Sequence, residues 1–174
     1  MRELALGLAG SLPFSTAHAG LSFAPSRGFW KALPLLKADL FRHPGWAVPA
    51  AGTSMDMGLQ VDGIHWLNFL GPPLLGTVGG IQALRSHLSH PDTTVQELTG
   101  GRALISLGPA PLAGDTKLGE TLSAYRELAR FLEPWLLPFP HVNTWEGYTP
   151  EEARLWWRRF LEAPPEKLYD PRGG

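Results

Sequence analysis

Cysteine is missing from all 174 residues. That absence removes disulfide scaffolds, thiolate metal sites and thiol nucleophiles in one step. An excess of either charge is missing too: 15 Lys and Arg face 16 Asp and Glu, for a net charge of −1. Such a balance offers no broad basic surface to nucleic acid or an anionic membrane, so neither is expected as a partner. No apolar run approaches the length needed to cross a bilayer. The N-terminus comes nearest to a targeting segment. Met1-Arg2-Glu3, the apolar stretch Leu4 to Leu12, and Ala17-His18-Ala19 mimic a secretory signal. Gly7, Gly10 and Ser11 weaken its apolar middle, and Glu3 stands where a signal carries basic residues. A short helix through Leu4, Leu8 and Leu12 is the better reading, in a cytoplasmic protein.

Catalytic signatures are equally sparse. The six histidines (18, 43, 65, 87, 90 and 141) are scattered. No H-E-x-x-H, no H-x-H and no adjoining carboxylate cluster completes a site, so no metal and no cofactor are expected. Gly52-Thr53-Ser54-Met55-Asp56 is not a nucleophile elbow, and the glycines at 71, 76, 79 and 80 lead into no Lys-Ser/Thr of a phosphate loop. An enzymatic alternative remains, a small hydrolase or metal-dependent enzyme using His65, Asp62 and Asp115. It requires those three to converge in one pocket with perturbed acidities. The residue pattern favours a protein that is not an enzyme.

What the chain has in quantity is 7 Trp, 17 Pro and 20 Gly. The aromatics imply a thick core or a contact surface. The densest apolar stretch is 64–80. Trp66, Leu67, Phe69 and Leu70 predict a helical turn or two, Gly71-Pro72 stops it, and Pro72 opens a second helix closed by a left-handed Gly79. A third helix, apolar at Ile81, Leu84 and Leu88, follows. Upstream, a strand is expected over 18–24, and a helix over 28–42 that Pro34 interrupts and His43-Pro44-Gly45 ends. Apolar residues at 55, 57, 59 and 61 predict another strand.

Downstream, 94–98 and 103–107 flank Thr99-Gly100-Gly101-Arg102 and read as a hairpin whose second strand is central. A Pro- and Gly-rich loop over 108–115 leads to an amphipathic helix through Leu122, Tyr125, Leu128 and Leu132, stopped at Pro134. An aromatic connector over 138–147 precedes a last helix with Thr149 as cap, Pro150 at its first position and Glu152 completing a capping box. The expected fold is α+β, an antiparallel or mixed sheet of about four strands packed against several helices. A single domain is expected over 1–165, with a loose tail over 166–174.

Several of these stretches resemble one known family. Trp66-Leu67-Asn68-Phe69-Leu70-Gly71 with Val78-Gly79-Gly80-Ile81-Gln82-Ala83-Leu84 is similar to the "inWLTfL…lGG…L" core of the type VI secretion immunity family directed against VRR-NUC nuclease effectors. His18-Ala19-Gly20-Leu21-Ser22-Phe23 resembles its "aGfal" strand, and Arg42-His43-Pro44-Gly45 its R-[HY]-P-G turn. Residues 105–115, ending in Gly114-Asp115, resemble its "iqaGp.P.lGD" segment, and Tyr125-Arg126-Glu127-Leu128-Ala129 the helix after it. The likeness spans roughly residues 17–135. Family members carry a longer N-terminal half, which makes this chain comparable to the C-terminal part of a family domain or to a reduced, partnerless paralogue.

The resemblance implies an antitoxin-like protein whose partner is a cognate nuclease effector, occluded through a shape-complementary interface with a few carboxylates facing a basic channel. A net charge of −1 leaves room only for local acidic patches, Asp92-Glu97 or Asp115-Glu120. Candidate partner-binding residues are Asp115, Glu120, Trp145, Glu146 and Tyr148. For the aromatics among them, packing beneath the last helix is the competing role.

Overall fold

The computed structural model describes residues 1–23, 31–48, 58–138 and 147–162 of the chain. In chain order the α-helices and strands are α1 (Arg2–Ser11), β1 (Thr16–Ala19), α2 (Lys37–Arg42), β2 (Leu67–Leu70), α3 (Pro72–Thr77), α4 (Gly80–His87), β3 (Thr93–Leu98), β4 (Arg102–Leu107), α5 (Ser123–Leu132) and α6 (Pro150–Trp157). Short 3-10 turns cover Thr116–Leu118 and Glu133–Trp135. The chain divides into two units. One takes Met1–Gly20, Ser54–Pro111 and Ser123–Leu137, the other Leu21–Thr53, Leu112–Leu122 and Pro138–Gly174.

The first unit holds an antiparallel sheet of four strands in the order β1-β2-β4-β3. The fold is therefore α+β, as the sequence led us to expect. β4 is central, and five of its six residues are buried. The hairpin forms with Leu98 opposite Arg102, and Gly100 and Gly101 at φ +75° and +66° take the left-handed turn that side chains resist.

β2 corrects the sequence reading. Leu67–Leu70 is a strand, not a helical turn, and all four of its residues are buried. A strand covered on both faces needs no polar alternation, so its apolar run looks the same as a buried helix. The glycine after it has a backbone reason. Gly71 N–H donates to Ser15 O at 2.7 Å, and a Cβ on Gly71 would lie 1.9 Å from Phe14 O. Pro72 then opens α3, and Gly79, at φ +92°, separates α3 from α4 as expected.

α1 lies over the sheet face that carries Ser106, to whose hydroxyl Arg2 donates at 2.8 Å. Arg102 donates to the carbonyl of Ala9. The helix leaves Met1, Leu4, Leu8 and Leu12 exposed beside an apolar cleft of about 360 Å³ floored by Ala17, Ala19 and Phe69.

Other expectations shift. The first strand occupies 16–19, where one over 18–24 was expected; Ser22 makes an isolated bridge to Ala47, and residue 24 lies outside the described residues. In place of a strand over 55–61, residues 58–59 turn and Val61 makes a single bridge to Leu136; residues 55–57 lie outside the described residues. Of the helix expected over 28–42, residues 28–30 lie outside the described residues and the rest is broken by turns at 33–36, because Pro34 has no N–H to give and its ring crowds the preceding turn. Leu122, at φ +50°, precedes α5 and does not belong to it.

The second unit has its own core of Leu33, Leu40, Phe41, Val48, Tyr148, Ala153 and Trp156. Its α6 opens with the full expected capping box. Thr149 Oγ1 accepts from Glu152 N–H at 3.2 Å, and Glu152 Oε2 accepts from Thr149 N–H at 2.8 Å. At the far end Arg159 is buried. Its guanidinium donates to the carbonyls of Pro44 (2.7 Å) and Trp156 (3.2 Å) and stacks on Trp156. Burial pushes its pKa down to about 9, still above neutrality, so the group stays charged. The expected tail over 166–174 lies outside the described residues.

Candidate functional site

Two loops of the second unit lock together. Arg42, the last residue of α2, reaches Asp115 with both arms of its guanidinium: Nε to Oδ1 at 2.9 Å and Nη2 to Oδ2 at 2.5 Å. Next to it His43 Nδ1 meets Gly114 O at 2.5 Å, and Gly45 N–H donates to Ala113 O at 2.7 Å. A Cβ on Gly45 would fall 1.9 Å from Leu112 O, so only glycine admits this approach. Thr116 Oγ1 closes the set by donating to Arg42 O at 3.1 Å.

Asp115 also caps the following 3-10 turn, accepting from Lys117 N–H at 2.9 Å. The Arg42 hydrogen bonds, opposed by burial and helped by the Lys117 N–H, pull its carboxyl pKa down to about 2. The turn it holds is displayed to solvent: Leu112 and Leu118 are 51% and 75% exposed, and Glu120 is exposed beside them.

The candidate contact residues therefore differ in placement. Glu120 sits on the outside of the latched loop and Asp115 inside it, 8% exposed. Tyr148 is 5% exposed, its ring 6.4 Å from that of Phe41 in the core. Trp145 and Glu146 lie outside the described residues.

In the first unit, Asp62 and His65 do come together, but their third member is His18. His18 Nδ1 lies 3.2 Å from Asp62 Oδ1, and the rings of His18 and His65 stack at 3.7 Å, 7° from parallel. Asp115 belongs to the other unit and is engaged by Arg42. Burial raises the Asp62 pKa, but the His18 hydrogen bond and the charges of His18 and His65 outweigh it and hold the carboxyl below its ordinary value. Spacing in the sequence did not reveal His18 as the partner. The antiparallel register, with His18 opposite Asn68, brings it there.

The family model for TsiV, described as type VI immunity for VRR-NUC, matches residues 1–160. The chain belongs to the TsiV family. No curated protein sequence matches it. Among solved structures, the TsiV chain is similar to the Pseudomonas aeruginosa T6SS protein PA0821, with a TM-score of 0.73 and 21% identity. That likeness covers 91% of this chain and 47% of the other, so the chain spans about half the length of PA0821 and shares its fold.

The TsiV landmarks noted in the sequence now have a physical meaning. The Arg-His-Pro-Gly turn and the Gly-Asp segment are the two halves of one latch, joined through Arg42–Asp115, His43–Gly114 and Gly45–Ala113.

Proposed function

We propose that this chain is an immunity protein that binds a type VI secretion nuclease effector in the cytoplasm and silences it by occlusion, without chemistry of its own. Membership of the TsiV family over residues 1–160 carries this reading. The latched loop supplies a surface suited to it: a turn presenting Leu112 and Leu118 beside one cation, Lys117, and one carboxylate, Glu120. An apolar contact with charged groups at its edge is the usual make-up of a specific docking patch. Asp115 serves by holding the loop and Tyr148 by filling the core beside α6; Trp145 and Glu146, outside the described residues, are kept as proposed partner contacts.

The test is reconstitution with the cognate effector. Mixed in equal amounts, the two proteins should elute as one complex, and the effector should stop degrading plasmid DNA. Glu120→Arg should weaken inhibition by about ten-fold or more without changing the melting temperature, since the side chain is exposed. Intact nuclease activity in a stoichiometric excess of this protein would overturn the proposal.

A further inference from the structure

The geometry points to a binding site for a divalent first-row transition metal, zinc being the type case, formed by His18, Asp62 and His65. One donor atom from each residue lies within 4.8 Å of the other two. The three come from separate places: the sheet-edge strand β1 and two positions of the loop that enters β2. Spacing alone spoke against any such site, and the fold assembles it.

The backbone around the three donors is held from every side. Asn68 clasps the main chain of His65, accepting its N–H at 2.9 Å and donating to its carbonyl at 2.7 Å. The Trp66 indole N–H donates to Gly108 O at 2.9 Å. Val61, just before Asp62, donates its N–H to Trp135 O at 2.8 Å and accepts from Leu137 N–H at 2.7 Å. His18 is fixed by its pairing opposite Asn68. Two glycines flank the His65 ring, Gly20 towards Nδ1 and Gly63 towards Nε2, each with its hypothetical Cβ at 3.5 Å from that nitrogen. These contacts hold the backbone that carries the donors, while the His18 and His65 rings, stacked 7° from parallel, turn about their side-chain torsions for their in-plane lone pairs to converge on one ion.

Donor chemistry selects the ion. Two imidazole nitrogens and one carboxylate oxygen suit zinc, cobalt, nickel or copper, whereas magnesium and calcium take oxygen sets. Tetrahedral zinc places its donors about 3.4 Å apart. His18 Nδ1 and Asp62 Oδ1 already stand at 3.2 Å, and the remaining separations close by at most about 1.4 Å through side-chain rotation. His65 is 9% exposed and forms the floor, while the His18 side chain is 39% exposed and leaves the fourth position open to water. The ion would tie the edge strand to the loop before β2 and stabilise the folded unit by mass action.

Metal-stripped full-length protein titrated with zinc chloride against a chromophoric chelator is expected to bind one ion per chain at micromolar affinity or tighter and to melt at a higher temperature. His18→Gln and Asp62→Asn should each weaken binding at least ten-fold. A His87→Ala/His90→Ala variant, which removes the surface histidines of α4 and its exit, should bind like the parent. Cobalt-loaded protein should show the intense visible bands of four-coordinate cobalt, and these should vanish in His18→Gln. If a variant fails to fold, the stoichiometry and cobalt spectrum of the parent decide. Absence of stoichiometric zinc binding by the parent, equal affinity in folded His18→Gln, or loss in the His87/His90 variant would each overturn the site.

Discussion

At the scale of single residues, the latch between Arg42 and Asp115 makes two predictions. Asp115 has a carboxyl pKa of about 2, below its ordinary value of 3.8. A lowered pKa contributes stability that is complete above the unfolded value and disappears as pH falls through the folded one. Acid titration of the parent should thus show stability lost between about pH 4 and pH 2, and Asp115→Asn should flatten that part of the curve. Gly45→Ala acts on the same latch by sterics. Its methyl would fall 1.9 Å from a carbonyl oxygen, so chemical denaturation should report a loss of about 2–3 kcal/mol. Arg159→Ala should cost a similar amount, about 2–3 kcal/mol, because it strips the Pro44 carbonyl of a charged donor. Little of this was legible beforehand. Asp115 could be read as a turn cap from its own neighbours, but Arg42 is 73 residues away, and local pattern carries no information about such a partner. The same holds for His18, which only the strand register brings to Asp62 and His65.

Elements were legible where the signal is local. The capping box before α6, the Gly-Gly hairpin and Pro72 opening α3 all follow from a few adjacent residues whose backbone preferences leave little choice. Thr149→Ala should lower stability by about 1 kcal/mol, the ordinary cost of losing such a cap, read as a shift in urea midpoint at constant slope. Trp156→Ala, about two turns further along the same helix, empties the second unit's core and should cost about 3–5 kcal/mol. Elements failed to be legible where tertiary context decides. β2 presents an unbroken apolar run because both of its faces are covered, and periodicity then cannot separate strand from helix. The chain at 58–61 alternates like a strand yet finds a partner only at Val61.

At the scale of the whole molecule, the α+β class and the family both came through, because several landmarks in a fixed order constrain topology more than any one of them does. Near-neutral charge has a measurable outcome here. With a net charge of −1 there is no large field to steer or hold a partner, so affinity for the effector proposed above should change less than about ten-fold between roughly 50 and 500 mM salt. A steeper dependence would mean that acidic mimicry of nucleic acid, not shape, does the work.

The uncovered side of α1 bears on every such measurement. Leu4, Leu8 and Leu12 stand in water next to a greasy recess. Fully native protein should therefore light up the dye anilinonaphthalene sulfonate at neutral pH, a signal normally taken for a partly melted state. Changing those three leucines to glutamine should abolish the fluorescence and leave the near-ultraviolet circular dichroism of the tryptophans unchanged.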